Sequence, residues 1–346
     1  MAKKKSRKKT KSKRRKVMFI ILAIAALVSG TCAAIAYPFI ADKSARAGMV
    51  YIYPGMEKEA VADTLKAKFG DDFGAQVERL MAFRKALPGA YMISEGDSPF
   101  DSWKRLSRGA QSPVKFTFNN VRTIDDFAER AGETMAFSKE DMIDFLTKQE
   151  TLDKYGLTLE TLPSILLPDT YEAFWTNTPE KLVRRIKKNY DAFWTEERKS
   201  QAEKLGLTPV EVITLASIVE EETAYGPEKG TVARLYMNRL EKGMKLQSDP
   251  TVKFALGDET LRRILNKHLS VESPYNTYLV YGLPPGPIRM PSKATIDAVL
   301  KAPKNDYLYM CAKEDFSGSH NFTSSYAQHM SNARRYQAAL NARGIK

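Results

Sequence analysis

Apolar and polar positions divide this chain into three regimes. Residues 17–36 are apolar throughout except for Ser29, Gly30 and Thr31. Twenty helical residues cover roughly 30 Å, the thickness of a hydrocarbon core, so the pattern predicts a transmembrane helix over 17–40 and a polar linker over 41–48. From residue 49 the pattern is mixed: a strand at 50–53, a Pro54-Gly55 turn, a helix carrying Ala60, Val61, Leu65 and Phe69, and a helix at 75–86 ending near Pro88-Gly89. A strand at 90–93, a helix at 102–107 stopped by Arg108-Gly109, and a strand at 114–118 follow, which predicts a small α+β module over 49–118. Helical periodicity then dominates, at 124–131, 138–147, 179–194, from 208, and at 229–242. We read 119–159 as a helical connecting region and 160–346 as a mainly helical domain. That domain should hold a buried loop or short strand at 166–171, Pro/Gly-rich loops past Gly243, a helix at 292–302, a strand at 307–311 and a last helix at 324–341. The fold class is α+β.

The segment from 208 is the most informative. Thr208 can cap, Pro209 suits the first helical position, and Glu211 completes a capping box. Three consecutive acids, Glu220, Glu221 and Glu222, therefore fall late in an apolar helix. At about 100° per residue, Val212, Leu215, Ala216 and Val219 form the buried stripe, with Ile213 and Ile218 beside it. Glu220 and Glu222 then sit at opposite edges, and Glu221 points away. Partial desolvation raises a carboxyl pKa and favours the protonated form that a general acid needs. Small Ala216 and Ser217, one turn before Glu220, would leave room for a substrate and favour Glu220 over Glu222. The competing structural reading is that the acids are solvated or paired with Arg234, Arg239 or Lys242.

Charge narrows the setting. Lys and Arg exceed Asp and Glu by 13, and residues 1–16 alone hold eleven Lys or Arg and no acid. The remainder is nearly balanced, so the basic block reads as a cytoplasmic tail that sets topology, not as a nucleic-acid surface. Everything after the span should then be exported. The Ala34-Ile35-Ala36 tripeptide could serve a signal peptidase, but the apolar run exceeds the roughly 7–15 residues of a signal h-region, and Ser29-Gly30-Thr31 before Cys32 is no lipobox. Two cysteines, Cys32 in the span and Cys311 beyond it, cannot pair within the chain. Three histidines, His268, His320 and His329, match no common zinc spacing, and neither a metal nor a cofactor is implied.

The second half resembles the YceG-like, MltG-type family of endolytic murein transglycosylases. The resemblance rests on Ala216-Ser217-Ile218-Val219-Glu220-Glu221-Glu222, Asn238-Arg239-Leu240, Leu246-Gln247-Ser248-Asp249-Pro250-Thr251, Tyr275-Asn276-Thr277-Tyr278 and Gly282-Leu283-Pro284-Pro285-Gly286-Pro287-Ile288. Leu167-Pro168-Asp169-Thr170-Tyr171, His320-Asn321-Phe322 and His329 also match in order. It implies a single-pass protein of the cytoplasmic membrane whose exported domain cuts peptidoglycan glycan strands internally, with a LysM-like module over 49–118. The first Glu of the family's ExE pair maps onto Glu220 as the catalytic residue. Glu222 and Asp249 would support it, and Gln247, Tyr275, Asn276, Tyr278 and His320 would hold substrate. Peptidoglycan synthases of the elongation or division machinery are the partners that the resemblance points to.

A lone acid has a mechanistic consequence. A two-carboxylate glycosidase needs a base or nucleophile opposite its acid, whereas in a lytic transglycosylase the substrate's own C6 hydroxyl attacks the muramyl anomeric carbon and leaves a 1,6-anhydro end. Hydrolysis is the rival if Asp249 or Glu222 activates a water. A non-catalytic glycan-binding scaffold is the rival from another class. The bland reading of Asp249 is a helix cap before Pro250, and that of the tyrosines is core.

Overall fold

The computed structural model describes residues 2–258, 261 and 264–344. The side chains of the first thirteen residues, where most of the basic tail lies, fall outside the description. The chain forms two compact units, residues 1–114 with 174–176, and residues 115–173 with 177–346.

In the first unit, α1 (Ala2–Ala41) is one continuous helix. Its stretch 14–41 is long and apolar enough to cross a membrane, and its apolar window is not buried against protein. Then come β1 (Gly48–Ile52), α2 (Lys58–Phe69), α3 (Asp71–Met81), β2 (Gly89–Ile93) and α4 (Pro99–Arg108). β1 and β2 pair antiparallel, from Gly48 opposite Ile93 to Ile52 opposite Gly89. Val50, Ile52, Val61, Leu65, Val77, Tyr91, Ile93 and Leu106 close the core. Ser98 caps α4 with Pro99 behind it, and Gly109 ends it at φ 68°, a conformation that favours glycine. The second helix runs four to five residues earlier than the periodicity predicts, because Asp71 and Asp72 start it directly after Gly70.

The second unit contains β3 (Val114–Phe118), α5 (Ile124–Thr134), α6 (Lys139–Thr147), α7 (Gln149–Tyr155), β4 (Asp169–Ala173), α8 (Pro179–Phe193), α9 (Glu196–Lys204), α10 (Pro209–Glu222), α11 (Lys229–Glu241), α12 (Asp249–Leu256), α13 (Lys293–Leu300), β5 (Tyr309–Ala312), β6 (His320–Thr323) and α14 (Tyr326–Ala342). β3 pairs with β4, and β5 with β6 antiparallel. This is a helix-rich mixed fold with a few short strands. Capping boxes start α5 (Thr123 with Asp126), α6 (Ser138 with Asp141) and α10 (Thr208 with Glu211). Sequence periodicity passes over α7, α9, α12 and β6.

The helix α10 is the axis of this unit. Every residue from Val212 to Val219 is buried, Thr214 and Ser217 included, and α9, α11, α12 and α13 pack around it. A helix buried all round has no narrow stripe, which departs from the amphipathic wheel. The space beside Ser217 is filled: its Oγ accepts a hydrogen bond from the Ile288 backbone N–H at 3.0 Å and donates to the Thr214 carbonyl at 2.7 Å. The Pro/Gly loop before Ile288 is thus clamped to the core helix.

Gly286 shows how tightly that loop is seated. A Cβ there would lie 1.9 Å from the Glu160 carbonyl oxygen and 2.5 Å from its carbon, so backbone must shift to admit even a methyl group. Gly286→Ala should lower stability by about 1–3 kcal/mol. Chemical denaturation of the full chain in detergent measures this, and an unchanged midpoint would show that the loop gives way freely.

Candidate active site

The three acids ending α10 point to three different environments. Glu220 Oε2 accepts from Lys229 Nζ at 3.1 Å, from Ser292 Oγ at 3.1 Å, and from Thr295 Oγ1. Burial alone would raise its pKa, but the hydroxyl of Thr295 and the ammonium of Lys229 overcome this and hold it below the usual carboxylate value. Glu221 is only partly exposed. It pairs with Arg122 at 3.0 Å and Arg289 at 2.5 Å. Two acids are therefore paired, as the structural reading expected, but with other cations: Arg234 instead binds Glu241, at 2.7 Å.

Glu222 is different. Its Oε1 accepts from Tyr236 Oη at 2.6 Å and Ser248 Oγ at 2.5 Å, and it makes no ion pair among the described residues. Oε2 accepts no hydrogen bond there. The residue is deeply set yet retains partial exposure, and burial raises its pKa against the opposing pull of the two hydroxyls. Burial also pushes the Tyr236 phenol well up, with the neighbouring Glu222 adding to it.

Glu222 lines a cavity of about 330 Å³ together with Arg239, Gln247, Asp249, Tyr278 and His320, walled further by Leu235, Tyr236, Leu246, Met310, Cys311, Ala312 and His329. That size is near the lower end for small-ligand sites. The chain assembles it from the end of α10, from α11, from the 246–249 turn, from β5 and β6, and from α14. The turn is specialised. Gln247 adopts φ 52°, a left-handed conformation rare for a residue with a Cβ. Ser248 occupies the N-cap position of α12 without making a side-chain cap bond, because its hydroxyl serves Glu222. Asp249 is the first residue of α12, not its cap, and its Oδ1 accepts from Tyr278 Oη at 2.6 Å. Burial and that bond raise the Tyr278 pKa.

His320 is aimed by a buried acid. Glu228 Oε1 lies 2.7 Å from His320 Nδ1, and Glu228 Oε2 accepts the His320 backbone N–H at 3.0 Å. Thr223 Oγ1 donates to the same carboxylate at 2.6 Å. His329 stacks on Tyr309 with ring centroids 5.4 Å apart, and burial together with the charge of Arg239 lowers its pKa.

Of the eight residues singled out from sequence, Glu222, Gln247, Asp249, Tyr278 and His320 share this cavity, whereas Glu220, Tyr275 and Asn276 do not line it. Asn276 is fully buried and staples its loop, donating to the Leu269 and Val271 carbonyls at 2.9 and 2.8 Å and accepting from Tyr278 N–H at 3.0 Å. Tyr275 packs on Phe254, centroids 4.7 Å apart, and burial raises its phenol to about 12. Two contributors escaped the sequence reading. Arg239 entered as a possible partner for the acids and within the Asn238-Arg239-Leu240 motif, but with no role at the site, and Glu228 gave no signal because its partner lies 92 residues on. Among the described residues no group of three or more His, Cys, Asp or Glu could hold a metal ion.

Known proteins are similar to this chain in sequence and in fold. A protein of Bacillus subtilis named endolytic murein transglycosylase is 35% identical over 181 residues, 52% of this chain and 49% of that protein. One of the same name from Streptococcus pneumoniae serotype 2 is 29% identical over 258 residues, 65% of this chain and 46% of that protein. The chain spans about half the length of these curated relatives. The 2.6 Å crystal structure of a YceG-like protein from Listeria monocytogenes superposes with a TM-score of 0.58 at 26% identity, covering 83% of this chain and 98% of that one. The profile of the YceG-like family matches residues 50–335, and with that coverage the chain belongs to the YceG-like family.

Proposed function

We propose that this chain is a membrane-anchored endolytic lytic transglycosylase that cleaves the MurNAc–GlcNAc bond within peptidoglycan strands, with Glu222 as the proton carrier. The observation that carries the reading is the state of Glu222: a carboxyl with a raised pKa, at a cavity wall, with one oxygen held by two hydroxyls and the other unengaged. A general acid needs a proton at rest and an oxygen facing the substrate. Glu220 has the opposite environment, since its cation and hydroxyl partners favour the ionised form. We therefore place the acid role on the second glutamate of the ExE pair, and read Glu220 as a brace between α10, α11 and α13.

In this mechanism Glu222 gives its proton to the glycosidic oxygen as the bond from the muramyl C1 breaks, and the electron pair leaves with that oxygen. The C6 hydroxyl of the same muramyl ring attacks C1, and the Glu222 carboxylate takes the hydroxyl proton. Glu222 returns to its starting form and no water is consumed. Tyr236 and Ser248 stabilise the transient carboxylate, and Asp249, Tyr278, Gln247 and His320 contact the sugars. The apolar helix α1 anchors the chain with its basic end in the cytoplasm, which puts the domain beside peptidoglycan and its synthases. The β1-α2-α3-β2 order of the first unit supports reading it as a LysM-like module that holds glycan.

Asp249, in the same cavity, favours a second reading in which it activates a water and the enzyme hydrolyses the same bond. The product decides between the two. Peptidoglycan incubated with the full chain in detergent should yield 1,6-anhydromuramyl ends by mass spectrometry, and reducing ends one water heavier would establish hydrolysis.

Glu222→Gln should lower kcat by roughly 10²–10⁴-fold, measured as released fragments per time, whereas Glu220→Gln should keep most of its turnover when the folded fraction is counted. The reverse ranking would return the acid role to Glu220.

Stability should respond to pH with opposite signs at the two sites. A raised carboxyl pKa contributes stability fully below the unfolded value, and this is lost as pH rises toward the folded value. Glu222→Gln should therefore gain on wild type from pH 4 to pH 8. A lowered pKa contributes above the unfolded value and is lost as pH falls through the folded one. Glu220→Gln should cost about 1–3 kcal/mol at neutral pH and less in acid. Denaturant titrations across that range check both, and parallel curves would contradict the two environments.

A further inference from the structure

Arg239 is a buried cation that pairs with no anion among the described residues. It is 8% exposed, and its donors are spent on neutral oxygens: Nε on the Leu308 carbonyl at 2.7 Å, and Nη1 on the carbonyls of Lys245 and Leu246 at 3.2 and 2.8 Å and on Gln247 Oε1 at 3.3 Å. Among the described residues Nη2 finds no hydrogen-bond partner and no carboxylate lies within 4.0 Å of the guanidinium. Its face rests 5.4 Å from the Tyr309 ring centroid, and the side chain lines the same cavity as Glu222. Buried guanidinium groups are normally paired with anions, because removing a full charge from water is costly and neutral acceptors return only part of that cost. The other acids around the cavity are committed otherwise: Glu222 is biased toward its neutral form, Asp249 is held by Tyr278, and Glu228 by His320 and Thr223.

We propose that the unengaged edge of Arg239 binds a carboxylate carried on the 3-O arm of the muramyl ring, making Arg239 a specificity-determining residue. The inference rests on the glycan-cleaving reading above, which brings a muramyl ring to Glu222. A hexose ring held with C1 at Glu222 projects its C3 substituent away from the reacting bond, toward another wall of so small a cavity. That separation also keeps the guanidinium charge off the anomeric carbon, where positive charge develops. Two sources supply this anion. In a peptide-free strand it is the lactyl carboxylate itself, which an amide hydrolysis removing the stem peptide must first expose. In a peptide-bearing strand the lactyl group is an amide, and an acidic residue of the stem supplies the carboxylate.

Three probes separate these sources in the wild-type full chain, independently of turnover. They are N-acetylmuramic acid, its lactyl methylamide, and N-acetylmuramyl-L-alanyl-D-glutamate, each titrated and followed by NMR or calorimetry. A charge-assisted contact should make at least one carboxylate-bearing probe bind roughly tenfold or more tightly than the methylamide. The acid alone binding tightly assigns the lactyl carboxylate, and the dipeptide binding tightly assigns the stem. In Arg239→Lys, which keeps the charge but loses the fork, the preference should shrink. In Arg239→Met it should vanish, with folding checked by the melting midpoint of each variant. Equal affinity of all three probes, no binding by any, or a preference that survives in a folded Arg239→Met would overturn the proposal. Cleavage of peptidoglycan with equal probe affinities would refute this inference alone, whereas carboxylate-selective binding without cleavage would refute the enzymatic reading and leave the site standing.

Discussion

Three adjacent carboxylates at the carboxyl end of a buried helix are the constraint on which this domain depends. The end of a helix carries partial negative charge, so acids in the last turn are disfavoured twice, by the dipole and by one another. Because successive residues turn by about 100°, each acid must find compensation in a different direction. Lys229, Ser292 and Thr295 answer Glu220; Arg122 and Arg289 answer Glu221. These pairs fasten the region before α5, the start of α11, the segment after the Pro/Gly loop and the start of α13 to one helical turn. Glu222 receives hydroxyls but pairs with no cation among the described residues, and burial biases it toward its neutral form.

The cavity is built around that exception. A hydroxyl that would ordinarily cap α12, that of Ser248, is turned onto Glu222, and the preceding Gln247 accepts a left-handed backbone so that the turn can present it. Such conformations persist where surrounding bonds over-determine them. Here the Gln247 backbone N–H is held by the Thr277 carbonyl at 3.1 Å, and Ser248 N–H by Thr277 Oγ1 at 3.0 Å. Asn276 fixes the loop from which Thr277 and Tyr278 project. Residues outside the pocket lining thereby set the geometry of those that form it.

Much of the architecture was legible in the sequence. The apolar run of α1, the capping box of α10 and the glycine after α4 act locally, and each falls where its pattern predicts. What failed was also local in cause. In α9 Ala202 is buried amid charge, so no periodicity announces the helix, and α12 hides behind an Asp-Pro pair that also reads as a turn. The site was legible as a set of motifs but not as a set of roles. A helical wheel ranks Glu220 and Glu222 by their own helix, whereas the difference between them lies in Lys229, Thr295, Tyr236 and Ser248, up to 75 residues away. For the same reason Asn276 and Tyr275 look like ligand contacts in a motif and serve as loop supports in the fold.

The same bookkeeping of charge links the proton on Glu222 to the empty edge of Arg239. In the free protein Arg239 lines the same cavity as Glu222, and burial biases Glu222 toward its neutral form. The anion proposed to sit on Arg239 would add negative charge to the cavity, and a nearby negative charge favours the protonated form of a carboxyl such as Glu222. In the proposed mechanism, the carboxylate left after proton transfer is stabilised by Tyr236 and Ser248, whose hydroxyls are already oriented toward Oε1 and need no reorganisation. On that proposal Glu222 is biased toward its neutral form before transfer and supported by fixed dipoles after it, which is what a single carboxyl requires if it is to act first as acid and then as base.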